Sequence, residues 1–354
     1  MHSAASRQQP VARPATARAA VGRTRLVELR MIIISNSSFT TGGSMRKPTP
    51  LAALVPAALL TASLLAACGG TSEADEPAGG AEPITLTDDT GAEIRLSGPA
   101  ERIACLTMIC VDALTEVGIT PVAYREPLAL DERYAGPDAD MREITGGFGE
   151  ENVEDIALAT PDLVIGLAGA QDGLRTAVEA HAPLYLVDPH SWRDSVEFLR
   201  TIGRITGTEQ AATDKADAFV ARVEAAAQEP SELTTLSMYG EPGSLGVDSV
   251  ETPVGSLLAE VSDYPWPAGD DPFASVAVEQ IAKVDPDLVF AQAFSASKDA
   301  EPLSDRLASD PVWAGLSAVR ADRVVEVEAP VWATGRGTIS LGLVLDTVEE
   351  NLRK

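Results

Sequence analysis

The chain has 354 residues, with 27 Lys and Arg against 53 Asp and Glu, a formal charge of −26 and three histidines. A field of that sign repels phosphate backbones and anionic lipid surfaces, so nucleic acid is excluded as a partner on charge alone. The length provides for two domains of ordinary size, and 45% apolar residues suffice to fill their cores.

The first segment with a readable pattern starts at Met45. Arg46 and Lys47 precede an uncharged run from Leu51 to Ala67 that ends in Leu65-Ala66-Ala67-Cys68-Gly69-Gly70. A basic start, an apolar core and a small-residue cleavage site make an export signal, and the run falls short of the ~20 apolar residues that a membrane span needs. Leu-Ala-Ala-Cys resembles the bacterial lipobox, which implies that Cys68 becomes the lipidated first residue. Residues 1–67 are therefore read as an upstream extension and lipoprotein signal peptide, with Met45 the true start. Residues 68–83 are polar and Gly-rich and are read as a flexible tether. Loss of residues 1–67 removes eight basic residues and one acid, which takes the formal charge from −26 to −33.

Ile84-Thr-Leu-Thr87 and Glu93-Ile-Arg-Leu96 alternate around Asp88-Asp89-Thr90-Gly91 and predict a hairpin. Arg102–Leu106 is a buried strand, a helix follows over about 111–117 with Gly118 as its stop, and Pro121–Tyr124 is the next strand. Asp162–Ile165 and Leu184–Val187 are short apolar runs of strand length with a helical stretch between them. This alternation predicts an α/β lobe over 84–205 with a mainly parallel sheet. From Ser195 the pattern turns helical: Val196, Leu199, Ile202 and Ile205 form one stripe, Gly207 interrupts it, and a second helix spans about 209–227 until Pro230. Residues 206–230 are read as a stiff interlobe helix, ~28 Å long at 1.5 Å per residue. The C-terminal lobe, 231–354, resumes with strand 233–238, a helix near 254–261, strands 287–290 and 323–327, and a closing helix over 339–352.

The most specific feature is a duplication. Residues 148–164 and 273–289 share Phe six positions before Glu, then Ile-Ala two positions after it and Pro-Asp-Leu-Val beyond. Phe148, Glu154, Ile156 and Pro161–Val164 correspond to Phe273, Glu279, Ile281 and Pro286–Val289. One long period implies two lobes built alike.

Catalysis has little support, and no catalytic residue is assigned. There is no Gly-x-Ser-x-Gly elbow, phosphate-binding loop or dinucleotide fingerprint, and no His, Cys and carboxylate set has metal-ligand spacing. No cofactor is expected. Cys105 and Cys110 are open to two readings, an export-compartment disulfide or buried thiols. Aromatic residues fall in predicted loops: Phe148, Trp192, Tyr239, Tyr264, Trp266, Phe273 and Trp332. With Arg125, Arg193 and Arg336 in neighbouring loops they suit an apolar cleft with a few polar hooks. Glu154 and Glu279 each fit a helix's first turn, where the macrodipole favours a carboxylate. The same glutamate at one register in both lobes hints at a further role.

The ordered set of lipobox, hairpin Thr87–Gly91, Pro99-Ala-Glu-Arg-Ile103, Asn152-Val-Glu-Asp-Ile156, Pro161-Asp-Leu-Val-Ile165, long middle helix, Pro286-Asp-Leu-Val289, and Trp313 through Arg323-Val-Val325 resembles the iron-siderophore and cobalamin substrate-binding proteins of ABC importers. The resemblance covers the whole mature chain. It implies two Rossmann-like lobes with mainly parallel sheets joined by one long α-helix, ligand held in the cleft, and little hinge motion. It implies that Glu154 and Glu279 dock on a permease dimer, that Phe148 and Phe273 line the cleft, and that a monomer anchored through Cys68 works on the extracytoplasmic face of the cell membrane. The first strand-to-helix loop, Leu106–Asp112, departs from the family's Ser-Pro-x-x-Thr-Glu. The expected ligand is a ferric siderophore, with the scarcity of basic residues favouring a neutral or cationic hydroxamate. The cleft candidates are Arg125, Phe148, Trp192, Tyr239, Trp266, Phe273, Trp332 and Arg336. Haem or cobalamin, with His190 or Tyr239 as axial ligand for haem, and a cell-surface siderophore hydrolase are the alternatives.

Overall fold

A computed structural model of the chain describes residues 82–125, 141–267, 275–293 and 301–354. The N-terminal lobe contains β1 (Ile84–Thr87), β2 (Glu93–Leu96), β3 (Ile103–Cys105), α1 (Met108–Glu116), β4 (Ala123–Arg125), β5 (Arg142–Ile144), β6 (Gly146–Gly147), β7 (Glu150–Glu151), α2 (Val153–Leu158), β8 (Leu163–Leu167), α3 (Arg175–Val178), β9 (Leu184–Val187) and α4 (Trp192–Thr206). The connecting helix α5 (Glu209–Ala226) leads to β10 (Thr235–Glu241), β11 (Ser244–Val247), α6 (Pro253–Val261), α7 (Val278–Val284), β12 (Leu288–Ala293), α8 (Leu303–Leu307), α9 (Ser317–Arg320), β13 (Val324–Glu326), α10 (Ala329–Trp332) and α11 (Thr338–Leu352).

Two sheets organise these elements. The first has the order β5-β4-β3-β8-β9 and is parallel throughout. The second has the order β11-β10-β12-β13, parallel except for the β10–β11 hairpin. Strands buried on both faces read as continuous apolar runs, which is how Leu163–Leu167 and Leu184–Val187 appear in the sequence. Their side chains nevertheless divide with period two. Ile103, Cys105, Leu163, Ile165, Tyr185 and Val187 join one core, while Ala104, Val164, Leu184 and Leu186 pack on the opposite face with Ile144, Ile156 and Val178.

The first of these cores does not stop at the lobe boundary. It runs from Ile94 through the α4 stripe Val196, Leu199, Ile202 and Ile205 to Leu257, Phe290, Leu341 and Val348 in the C-terminal lobe. Gly207, at φ 71, closes α4 in the left-handed conformation that favours glycine and turns the chain into α5. Lobes that share one apolar core move against each other only at the cost of exposing it.

The joint between α1 and α11 is polar and buried. Asp112 is fully buried in α1, and its carboxylate accepts from Ile339 N (3.0 Å), Ser340 N (2.9 Å) and the Ser340 hydroxyl. It caps a helix that lies 228 positions later in sequence, satisfying amides that the first turn of any helix leaves unpaired. A Cβ on Gly337 would run into this carboxylate, so the approach depends on glycine there. Glu116, one turn on, accepts from the Thr338 hydroxyl (3.1 Å) and pairs with Lys215 of α5 (3.1 Å).

The duplicated Pro-Asp-Leu-Val has one structural job in both lobes. Asp162 takes Glu101 N (2.8 Å) and Arg102 N (3.0 Å), and Asp287 takes Thr234 N (3.0 Å). Each aspartate thereby fixes the start of the neighbouring strand. The residues before the two prolines, Thr160 and Asp285, both sit at positive φ, 46 and 52.

Some expected boundaries move. The hairpin strand β11 is not foreseen in the sequence, and β10 runs to Glu241 rather than ending at Met238. The helix expected from Ser195 begins at Trp192, because Ser191 accepts from Asp194 N and so caps it. Cys105 and Cys110 are joined as a disulfide with Cα atoms 5.6 Å apart, which resolves the two readings in favour of the bridge. Among the described residues no helix is long and apolar enough to cross a membrane.

Replacing Asp112 by Ala leaves buried amides unpaired, and urea denaturation should show a loss of about 3 kcal/mol. Burial pushes the Asp112 carboxyl up to about 7 against the lowering effect of Ser340 and Ile339. Since the folded value lies above the ordinary 3.8, the folded state binds the proton more tightly, and this group's contribution declines as pH rises from about 4 to about 7. Stability measured against pH should show that slope in the parent protein and not in Asp112→Asn.

Candidate ligand-binding cleft

In parallel α/β sheets ligands collect beyond the carboxyl ends of the strands. The first turn of α11 in the C-terminal lobe is held on α1 of the N-terminal lobe, at Asp112 midway along it. Arg336, just before α11, also feels the charge of Asp188, just after β9 in the other lobe.

On the N-terminal side, Arg125 ends β4 and Phe148 tips the small β6–β7 hairpin. The guanidinium carbon lies 5.2 Å from the Phe148 ring centre, in cation–π range. Phe148 is 58% exposed, so its other face is free to meet a ligand. Beneath them Arg125 Nε lies 3.2 Å from Glu151 Oε1, with the Glu151 side chain wholly buried. The same oxygen accepts from Gln171 Nε2 (2.9 Å) and Gly149 N (3.2 Å), and Gln171 Oε1 accepts from Leu167 N (2.7 Å). Among the described residues Glu151 Oε2 has no hydrogen-bond partner.

On the C-terminal side, Tyr239 of β10 lies beside Gln292 of β12 in the parallel register. Gln292 is 1% exposed, and neither of its amide atoms is hydrogen-bonded among the described residues. Buried Asp248 accepts from the Ser237 hydroxyl (2.7 Å), and its backbone oxygen accepts from the Tyr264 hydroxyl (2.7 Å). Burial pushes the Asp248 carboxyl up, while the Ser237 hydroxyl and the Arg336 charge act against it. Burial likewise pushes the Tyr239 phenol up, reinforced by Asp248. Arg336 is drawn down by burial and held up by Asp248, Tyr239 and Asp188. Its backbone sits at φ 57 and its Nε donates to Ala333 O (3.1 Å).

Arg125 ends β4 beside Phe148 of the hairpin, whereas Tyr239 lies within β10 and Arg336 in the turn between α10 and α11, off any strand end. The three tryptophans do not behave as expected. Trp192, Trp266 and Trp332 are only 1%, 8% and 3% exposed. Trp192 packs edge-on against Phe219 and donates to Glu260, Trp266 donates to Thr235 O, and Trp332 stacks on Phe290. Rings so covered support the walls and have no open face to offer. Arg193 lies over the Trp192 ring and pairs with Glu260, which ties α4 to α6. Phe273 and Cys68 lie outside the described residues. Glu154 and Glu279 are exposed in the first turns of α2 and α7.

The sequence reading missed Glu151, Gln171, Asp248 and Gln292. A separate pocket of about 330 Å³ is lined by Asp89, Tyr185, Asp188, His190, Asp194 and Phe198 with their neighbours. All of these belong to the N-terminal lobe, on the flank between hairpin, β9 and α4. Among the described residues no three His, Cys, Asp or Glu side chains converge to hold a metal ion.

A family model described as periplasmic binding protein matches residues 103–331. The Fe(3+)-citrate-binding protein YfmC of Bacillus subtilis is 22% identical over 296 residues, 81% of this chain and 92% of that protein. The probable siderophore-binding lipoprotein YfiY of the same organism is 24% identical, over 82% of this chain and 94% of that one. Among solved structures, the triscatecholate siderophore binding protein FeuA of Bacillus subtilis, complexed with ferri-bacillibactin, superposes with a TM-score of 0.63 at 17% identity, covering 76% of this chain and 98% of that one. The two-lobe fold is thus shared with solved substrate-binding proteins, and the chain belongs to the periplasmic binding protein family.

Proposed function

We propose that this protein is the receptor of an ABC importer that captures a ferric siderophore between its lobes and hands it to a permease dimer. It acts as a monomer, held to the extracytoplasmic face of the membrane through lipid on Cys68, and it performs no chemistry on its cargo. A single acyl chain gives only marginal anchoring, so more than one chain on Cys68 is required for stable residence. Relatives named for Fe(3+)-citrate and a structural neighbour holding a ferric triscatecholate support a ferric chelate as cargo.

The observation that carries delivery is the exposure of Glu154 and Glu279 at equivalent first-turn positions of α2 and α7. In α2 the cap is made by Asn152, whose side chain accepts from Glu154 N, and in α7 Gln280 Oε1 accepts from Ala277 N. Local capping therefore leaves both glutamate carboxylates available. Two acids presented alike by two lobes suit basic pockets on two permease subunits.

The cargo's charge follows from the cleft walls. Arg125 is countered by Glu151, and the charges of Asp248 and Asp188 act on Arg336. With no surplus cation among the described residues there, the cleft suits a neutral or cationic hydroxamate chelate better than a polyanionic one.

Replacing Glu154 and Glu279 together by Ala should cut uptake of the iron chelate by on the order of tenfold or more for each glutamate while leaving binding unchanged. Loss of binding in the purified double variant would return both residues to helix stability alone. A ferric trishydroxamate at a hundred times its Kd should add about 2.7 kcal/mol of stability, seen as a rise in Tm. No rise with any ferric chelate would end the receptor reading. Cys68→Ser should move the protein from the membrane fraction to the medium.

A further inference from the structure

We propose that Glu151 sets the charge of the ferric chelate this cleft accepts, by neutralising Arg125 and so excluding complexes with net negative charge. This rests on the reading of the cleft as a ferric-chelate site and names a selectivity residue within it.

Glu151 is placed with care. It ends the β6–β7 hairpin, is 3% exposed, and directs one oxygen, Oε1, at every donor that approaches it. Gln171 Nε2 and Gly149 N donate to it, and Arg125 Nε lies 3.2 Å away as an ion-pair partner without a hydrogen bond. A neutral Gln would hold the same hydrogen bonds through its own carbonyl oxygen, so hairpin geometry does not need a charge. The charge itself has one evident counterpart, the Arg125 guanidinium at 3.2 Å. Arg125 is otherwise covered on one side by the Phe148 ring. An arginine at a strand end beside an exposed aromatic would by itself attract an anion. With a buried carboxylate behind it, the pair presents hydrogen-bonding edges without net charge.

The second lobe offers only a looser counterpart: Arg336 feels the charge of buried Asp248, which lies outside the duplicated segment, but the two form no ion pair of the Arg125–Glu151 kind among the described residues.

The Oε2 of Glu151, without a hydrogen-bond partner among the described residues, sharpens the chemistry. A buried carboxylate oxygen without a donor is costly in isolation and is relieved by a hydrogen-bond donor or a cation. Covered from the cleft, it acts on a ligand through its charge, which favours an ammonium group and disfavours a citrate carboxylate.

The test uses the full chain in detergent and follows tryptophan fluorescence with three probes: ferrioxamine B, a cationic ferric trishydroxamate, ferrichrome, a neutral one, and polyanionic ferric dicitrate. The parent protein should favour the two hydroxamates. Glu151→Gln should strengthen dicitrate binding by roughly tenfold and weaken ferrioxamine B by a similar factor, with an unchanged Tm. Arg125→Gln should move the ratio of dicitrate to ferrioxamine B affinity the opposite way, which keeps the test open if Glu151→Gln folds poorly. A ratio that is the same in parent and variants overturns the proposal, as does a parent that prefers dicitrate. A parent that binds none of the three overturns the ferric-chelate reading itself, and this inference with it.

Discussion

The two lobes meet through one carboxylate. Asp112, buried in the helix that follows the first strand of one sheet, takes the first backbone amides of the helix that closes the other. Neither lobe satisfies those groups from its own residues, because a helix start leaves its N–H groups unpaired and the apolar core around them excludes water. The contact fixes more than stability. By seating the start of α11 on the middle of α1 it fixes the two lobes against each other. The shared apolar core from Ile94 to Val348 then opposes any large swing of one lobe on the other.

Within that frame the duplicated segment divides its labour. Pro-Asp-Leu-Val is architectural: Asp162 and Asp287 each hold the backbone where the adjacent strand begins. Ile156 and Ile281, both 0% exposed, plug the helix into its lobe. Glu154 and Glu279 are what remains outside, and they occur at the same place in both copies. Phe148 also remains outside, but it sits on a hairpin braced by Glu151 rather than on the helix. One segment thus carries strand entry, core, outward acid and cleft aromatic on separate faces.

The fold was largely legible because it rests on local patterns. Leu163–Leu167, Leu184–Val187 and the stripe of Val196, Leu199, Ile202 and Ile205 can hardly be anything but buried strands and a one-sided helix. The start of α4 was missed by three residues, because the tryptophan after Ser191 invited a loop reading although Ser191 caps the helix. The cleft was half legible. Arg125 ends β4, which sequence order marks, but Phe148 tips a hairpin, Tyr239 lies inside β10 and Arg336 sits between α10 and α11. Trp192, Trp266 and Trp332 could not be separated from them, since an aromatic near a predicted loop looks the same whether its ring is covered or open. Glu151 could not be found at all among 53 acids, because its partners Arg125 and Gln171 lie far off in sequence and only the hairpin brings them together. Asp112 was hidden for the same reason, with its partners 227 and 228 positions away.

The account makes the space between Arg125 with Phe148 and Tyr239 with Arg336 the place where iron rides, and leaves the acidic flank pocket around His190 without that role. Crystals grown with ferrichrome and measured at the iron absorption edge would place the metal directly by anomalous scattering. A peak between the ends of β4 and β10, with the lobes at an unchanged separation, is the result the account predicts. A peak in the flank pocket by Asp188 and His190, or lobes that close around the chelate by a rotation breaking the Asp112 contacts, would contradict it.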